Sequence, residues 1–91
     1  LELSKILAGQ GTELVLVILT IFPEEGFAHY PIGHMHRELA QKLSTRGIRV
    51  IDLLHSPLTQ GVSPRTYALD IWHLNAQGHE RVASSLIDAL L

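Results

Sequence analysis

Apolar and polar positions along the chain separate into blocks with different periods. Leu3, Ile6 and Leu7 recur at helical spacing, and Gly9 and Gly11 end that pattern, so Leu1 to Gly9 reads as a helix. Glu13 to Ile21 follows, β-branched-rich and almost wholly apolar, and Pro23 stops it. A strand without polar alternation is expected to be buried on both faces, as in a parallel sheet covered by helices. Phe22 to Pro31 contains two prolines and one glycine and reads as a loop. Ile32, Met35, Leu39, Ala40 and Leu43 mark the apolar face of a second helix, with Arg37, Glu38, Gln41 and Lys42 on the other face and Gly47 placed as its C-terminal cap. Ile48 to Leu54 reads as a second strand. His55 to Leu69, with Pro57, Gly61 and Pro64, reads as a long loop of the kind that is usually functional or mobile. Val82, Ala83, Leu86, Ile87 and Leu90 form the stripe of a final helix.

A strand, helix and strand joined by short connections imply parallel strands with a right-handed crossover. Both strands then end on the same edge, which is where open α/β sheets bind ligands. The segments 22–31 and 55–75 are therefore expected to share that edge. This is the expected place for a site, whatever the chemistry.

Composition narrows the class. The chain has 91 residues, enough for one small domain, and 46% of them are apolar, so it should fold. Seven basic residues and a formal net charge of −2 argue against a broad phosphate-binding face and hence against nucleic acid. The absence of cysteine removes disulfides, thiolate metal sites and thiol nucleophiles. The longest apolar run, Leu14 to Phe22, is too short to span a membrane as a helix. The chain begins at Leu1 in what reads as a helix already under way, and a fragment of a longer protein is expected.

The residues that carry chemistry are Asp70-Ile-Trp-His73-Leu-Asn75-Ala-Gln-Gly78-His79, between the long loop and the last helix. A short turn can bring the Asp70 carboxylate to one nitrogen of His73 and leave the other facing outward over the strand ends. A carboxylate so placed fixes the imidazole tautomer, and the outer nitrogen can take a proton from a hydroxyl nucleophile. Asn75 suits the N-cap of the last helix, accepting from the backbone N–H of Gly78. Gly78 suits a close approach of helix to sheet. His79 lies one helical turn further in, and local packing or bonding fits it better than a role as second base. Trp72 either lines an acyl or alcohol pocket or anchors the loop by burying its ring, and Tyr30 and Tyr67 could do either.

His29, His34 and His36 raise a metal reading. His34 and His36 open a helix, however, where rings two apart diverge, and no carboxylate or cysteine completes a known ligand spacing. No metal or cofactor is expected. These histidines, with Glu24 and Glu25, read as solvated.

The Asp-x-x-His pair, followed by Asn75, Gly78 and His79 and an amphipathic final helix, resembles the last block of SGNH/GDSL ester hydrolases, and the preceding strand–loop–helix–strand order fits that family's closing unit. The resemblance spans roughly Glu13 to Leu91. It implies a three-layer αβα, flavodoxin-like fold with a five-stranded parallel sheet, of which this chain would be the C-terminal portion of one domain. It implies hydrolysis of carboxylic esters through a serine acyl-enzyme, with His73 as general base then acid and Asp70 orienting it. The family includes lipases, carbohydrate acetylesterases and thioesterases, so the substrate would be a small-molecule, lipid or carbohydrate ester. The family's Gly-Asp-Ser nucleophile motif and its oxyanion-hole residues have no counterpart here, and none of Ser4, Ser44, Ser56, Ser63, Ser84 and Ser85 sits in a strand-to-helix turn of that type. The chain alone is therefore expected to be nearly inactive. A strand edge exposed by missing neighbours would favour self-association or pairing with the missing half. The alternative function is a non-catalytic α/β binding or structural module that keeps the fold element. A receiver-like or nucleotide-binding domain fits less well, since no Gly-rich phosphate loop follows Leu19 or Leu54.

Overall fold

The computed structural model describes residues 2–91; Leu1, included in the expected first helix, lies outside the described residues. The chain is mixed α/β. In order it forms α1 (Glu2–Gly9), β1 (Val15–Ile18), α2 (Gly33–Ser44), β2 (Arg49–Asp52) and α3 (Ala76–Leu90), with short 3₁₀ turns at Leu53–His55 and Pro64–Thr66. β1 and β2 pair in parallel, with Val15 opposite Arg49 and Ile18 opposite Asp52. No helix among the described residues is long and apolar enough to cross a membrane.

Glycine ends both early helices by the same device. Gly47 has φ +77° and donates to Ser44 O, while Ile48 N–H donates to Leu43 O. Gly11 has φ +74° and donates to Ala8 O, while Thr12 N–H donates to Leu7 O. This paired closure needs a left-handed residue, which glycine adopts without a Cβ clash.

The strands are shorter than the apolar runs that contain them. β2 stops because the Asp52 side chain accepts from Leu54 N–H and turns the chain into the 3₁₀ turn. β1 then has no partner beyond Ile18. Burial on both faces is also not met, since Val17 is 40% exposed and Leu19 48%. α2 packs on β2 instead, and α3 touches it. His36 of α2 bonds Asp52, and Arg49 donates to Ala89 O near the end of α3. Residues 49 and 52 differ by an odd number, so their side chains leave β2 on opposite faces.

α2 is rotated from the expected stripe. Met35 and Leu39 are exposed, whereas Ile32, Ala40 and Leu43 are half-buried and His36 is buried. The contact that goes with this phase is a hydrogen bond. Asp52 ends an otherwise apolar strand, and a carboxylate taken out of water requires a partner. His36 supplies it, and turning His36 inward carries Met35 and Leu39 to the rim of a groove of about 420 Å³ lined also by Ile18 and Leu19.

The core is built by loops as much as by regular elements. Phe22, Leu53, Leu58 and Ala68 are buried together, and Phe27, Ile51, Tyr67, Leu74 and Val82 pack against them. The expected long loop is thus a structural segment over much of its length. Ser56 donates through Oγ to Leu53 O at 2.6 Å and accepts from Leu58 N–H, which folds Leu58 inward.

Candidate functional site

Residues 67–75 form a small hairpin. Ala68 and Leu74 bridge in antiparallel fashion, Asn75 N–H donates to Tyr67 O at 3.0 Å, and Leu69 N–H donates to His73 O at 2.8 Å. Asp70, Ile71 and Trp72 occupy the tip, and His73 begins the return. Aspartate suits the tip because its side chain can bond the backbone two residues on. Asp70 Oδ1 accepts from Trp72 N–H at 2.8 Å and from His73 N–H at 2.9 Å.

The same carboxylate meets the His73 ring. His73 Nδ1 donates to Asp70, 2.9 Å from Oδ1 and 3.0 Å from Oδ2. The ring's Nε2 lies on the far side, and the two side chains are 70% (His73) and 55% (Asp70) exposed. With Nδ1–H committed to the carboxylate, the neutral ring carries its lone pair on Nε2. The pair can therefore take a proton from a hydroxyl presented on the open side and hold the resulting imidazolium against Asp70.

The hairpin is tied to α3 and to the β1 end. Asn75 caps α3, accepting from Gly78 N–H at 2.8 Å, and its side-chain amide donates to Thr66 O at 3.1 Å. Gly78 does allow a close approach, but to the Tyr67 backbone of the hairpin rather than to the sheet. Phe22 N–H donates to Ile71 O at 2.9 Å, and Arg65 donates to Phe22 O at 3.1 Å. Segments 22–31 and 55–75 thus meet. Arg65 also reaches the exposed Glu24 at 3.7 Å, a contact that solvent screening makes weak.

Trp72 is 68% exposed, so anchoring by ring burial is ruled out for it. Tyr67 packs on the core and takes Arg81 over its ring at 5.4 Å. His29, His34 and His79 are exposed. His36 corrects the expectation of solvation, being 4% exposed beside an Asp52 that is 12% exposed. His36 Nδ1 lies 2.8 Å from Asp52 Oδ1, and Nε2 lies 3.0 Å from the Tyr30 hydroxyl, which accepts from Ile21 N–H at 2.9 Å. If Nδ1–H donates to Asp52 and the Tyr30 hydroxyl donates to Nε2, every proton in this chain of contacts has one acceptor. Sequence spacing could not pair residues sixteen apart. The available signal was Asp52 itself, a carboxylate inside an apolar strand.

The Trp72 backbone N–H, then the His73 ring and the His73 backbone N–H, hold the Asp70 carboxyl below its ordinary value. A depressed folded pKa adds stability that is present above the unfolded value and lost as pH falls through the folded one. The Asp70 turn should therefore hold at neutral pH and loosen only on acidification below 3.8, the ordinary aspartate value. Carbon-detected NMR of the Asp70 carboxyl should give a midpoint under 3.8; a midpoint at or above it would mean that the turn bonds do not persist in solution.

Searches against family models, curated proteins and solved structures returned no match for this chain.

Proposed function

We propose that this chain is the C-terminal part of an SGNH/GDSL-type serine ester hydrolase and supplies its base and acid, His73 and Asp70. The observation that carries the reading is the His73 ring, held through Nδ1 by both Asp70 oxygens and open on its Nε2 side. Support also comes from position, since the hairpin tip is tied to Phe22, beyond the carboxyl end of β1. The three-layer, flavodoxin-like arrangement belongs to the same proposal. The opposite-face attachment of α2 and α3 to β2 supports it. Each strand keeps one edge without a strand partner among the described residues. The exposed Leu3, Ile6, Val17 and Leu19 then fit cover by the missing half or by a second copy.

In this mechanism a serine outside the chain attacks the ester carbonyl while His73 Nε2 takes its proton. The tetrahedral intermediate collapses, the ester C–O bond breaks, and His73 returns the proton to the departing alcohol. Water, deprotonated by His73, then attacks the acyl-enzyme; the acyl bond to serine breaks, and His73 protonates the serine oxygen. Asp70 holds Nδ1–H throughout and stabilises the transient imidazolium. The chemistry calls for neither metal nor organic cofactor.

In this proposal the nucleophilic hydroxyl and the oxyanion hole, which together account for several orders of magnitude in rate, lie outside residues 1–91. The test uses an activated short-chain ester and a serine-directed phosphonate on both proteins. The longer protein should turn over and be labelled at one serine outside 1–91, and the 91-residue chain should do neither. Multiple turnovers by the short chain, lost on His73→Ala, would place the nucleophile among its own six serines. A longer protein that neither turns over nor labels would favour the binding module.

A further inference from the structure

Apart from the Asp70–His73 pair, the described residues hold a second connected set of titratable groups, the Tyr30–His36–Asp52 chain, in which His36 is buried and its two partners half-buried. It spans three parts of the fold: the segment after β1 through Tyr30, α2 through His36, and the end of β2 through Asp52. Its far end is a backbone group. The Tyr30 hydroxyl takes Ile21 N–H, so the position of residue 21 is set by a side chain anchored on β2.

Ile21 is covalently joined to Phe22, and Phe22 is the residue that grips the hairpin. Its N–H donates to Ile71 O, inside the Asp70–His73 turn, and its O accepts from Arg65. Rings follow the same route. His36 meets the Tyr30 ring edge-on at 5.2 Å, Tyr30 stacks on Phe27 at 6.4 Å, and Phe27 meets Phe22 edge-on at 6.1 Å. Phe22 is fully buried. Hydrogen bonds and ring packing therefore run along one path from Asp52 to Ile71.

We propose that Tyr30, His36 and Asp52 are positioning residues for the Asp70–His73 turn, acting through Ile21 and Phe22; as a role in catalysis this rests on the hydrolase reading above. The physical basis is the low tolerance of polar groups withdrawn from water, His36 above all, for loss of a partner. Without the Tyr30 hydroxyl, Ile21 N–H and His36 Nε2 both lose their bond in a partly buried site. The segment holding Phe22 is then free to shift, and the Phe22–Ile71 bond shifts with it. The tip of the hairpin is otherwise exposed, so this bond is a main restraint on its outer side.

The test uses the 91-residue chain and needs no ester turnover, so its outcome is separate from that of the hydrolase reading. Tyr30→Phe keeps the ring and removes one hydroxyl. Amide exchange at Phe22 should rise about 10-fold or more, and the Asp70 carboxyl midpoint should move up toward 3.8. Amides of Val82 and Leu86 in α3 should change by less than about twofold, as expected if opening is local. Asp52→Asn keeps an acceptor oxygen for His36 but loses the charge, and should move the same two readouts in the same direction by less. It reads the path independently if Tyr30→Phe does not fold. A rise in exchange shared equally by Phe22 and α3 would mean a merely structural role and overturn the proposal. So would unchanged Phe22 exchange and Asp70 titration in both variants.

Discussion

In the parent hydrolase proposed above, His73→Ala should lower kcat for a short acyl ester by about 10²–10⁴-fold, the range typical of a lost general base. KM should change much less, because in the proposed mechanism His73 acts on the proton in flight and not on the bound ester. Asp70→Asn should come close to the same loss by a different route. The asparagine oxygen can still accept from Trp72 and His73 N–H, so the turn survives. With that oxygen on the backbone, an amide N–H replaces Oδ2 beside His73 Nδ1, which favours Nδ1 as acceptor over the contact it keeps with the remaining oxygen. In that tautomer the ring proton lies on Nε2, and the base is blocked by its own hydrogen. His79→Ala is the control, since His79 lies exposed in the first turn of α3, and its turnover should stay within about twofold of wild type. Turnover near wild type in His73→Ala, or loss in His79→Ala equal to that in His73→Ala, would sink the assignment.

Gly78→Ala should be among the most destabilising single substitutions in the chain. A Cβ at position 78 would sit 2.1 Å from Tyr67 O and 2.9 Å from Leu74 Cδ2. The first of these is backbone, and that oxygen already accepts from Asn75 N–H. No side-chain rotation relieves the clash, so α3 or the hairpin must move. Overpacking of this kind costs about 1–3 kcal/mol and sometimes more. For a domain of this size each kcal/mol shifts Tm by about 4–8 °C, so thermal unfolding followed by circular dichroism should show a fall of roughly 10–20 °C. Gly9→Ala is the counterpart, at the end of α1 where a Cβ meets nothing within 4 Å, and it should be neutral or slightly stabilising. Equal melting temperatures for Gly78→Ala and wild type would mean that the helix does not rest on the hairpin as described. The same substitution should disturb His73, since Tyr67 and Leu74 form the base of the hairpin that presents it.

Local chemistry determined a good deal of this molecule from sequence alone. The positions of the helices follow from period and from Gly11 and Gly47, whose left-handed backbones close α1 and α2. The parallel pairing of β1 and β2 follows from a strand–helix–strand order with short connections. Asn75 capping Gly78 and the contact of Asp70 with His73 were legible because both act over three residues, a distance at which chain geometry leaves few alternatives.

What tertiary structure alone decided is of longer range. The lengths of the strands depended on where Asp52 could cap its own turn, and the rotation of α2 depended on that carboxylate finding His36 sixteen residues away. A helical period gives a stripe but not its phase, and Met35 and Leu39 scored as core while His36 scored as surface. Leu58 and Ala68, inside a Pro- and Gly-containing segment, read as loop because loops lack periodicity, yet they pack with Phe22 and Leu53. Gly78 could be read as a close approach, but only the fold shows that it meets the Tyr67 carbonyl. Each of these depends on which groups share a desolvated space, and sequence separation carries no direct measure of that. Burying a carboxylate or a loop carbonyl requires a partner wherever the chain can bring one, and the fold settles which residue that is.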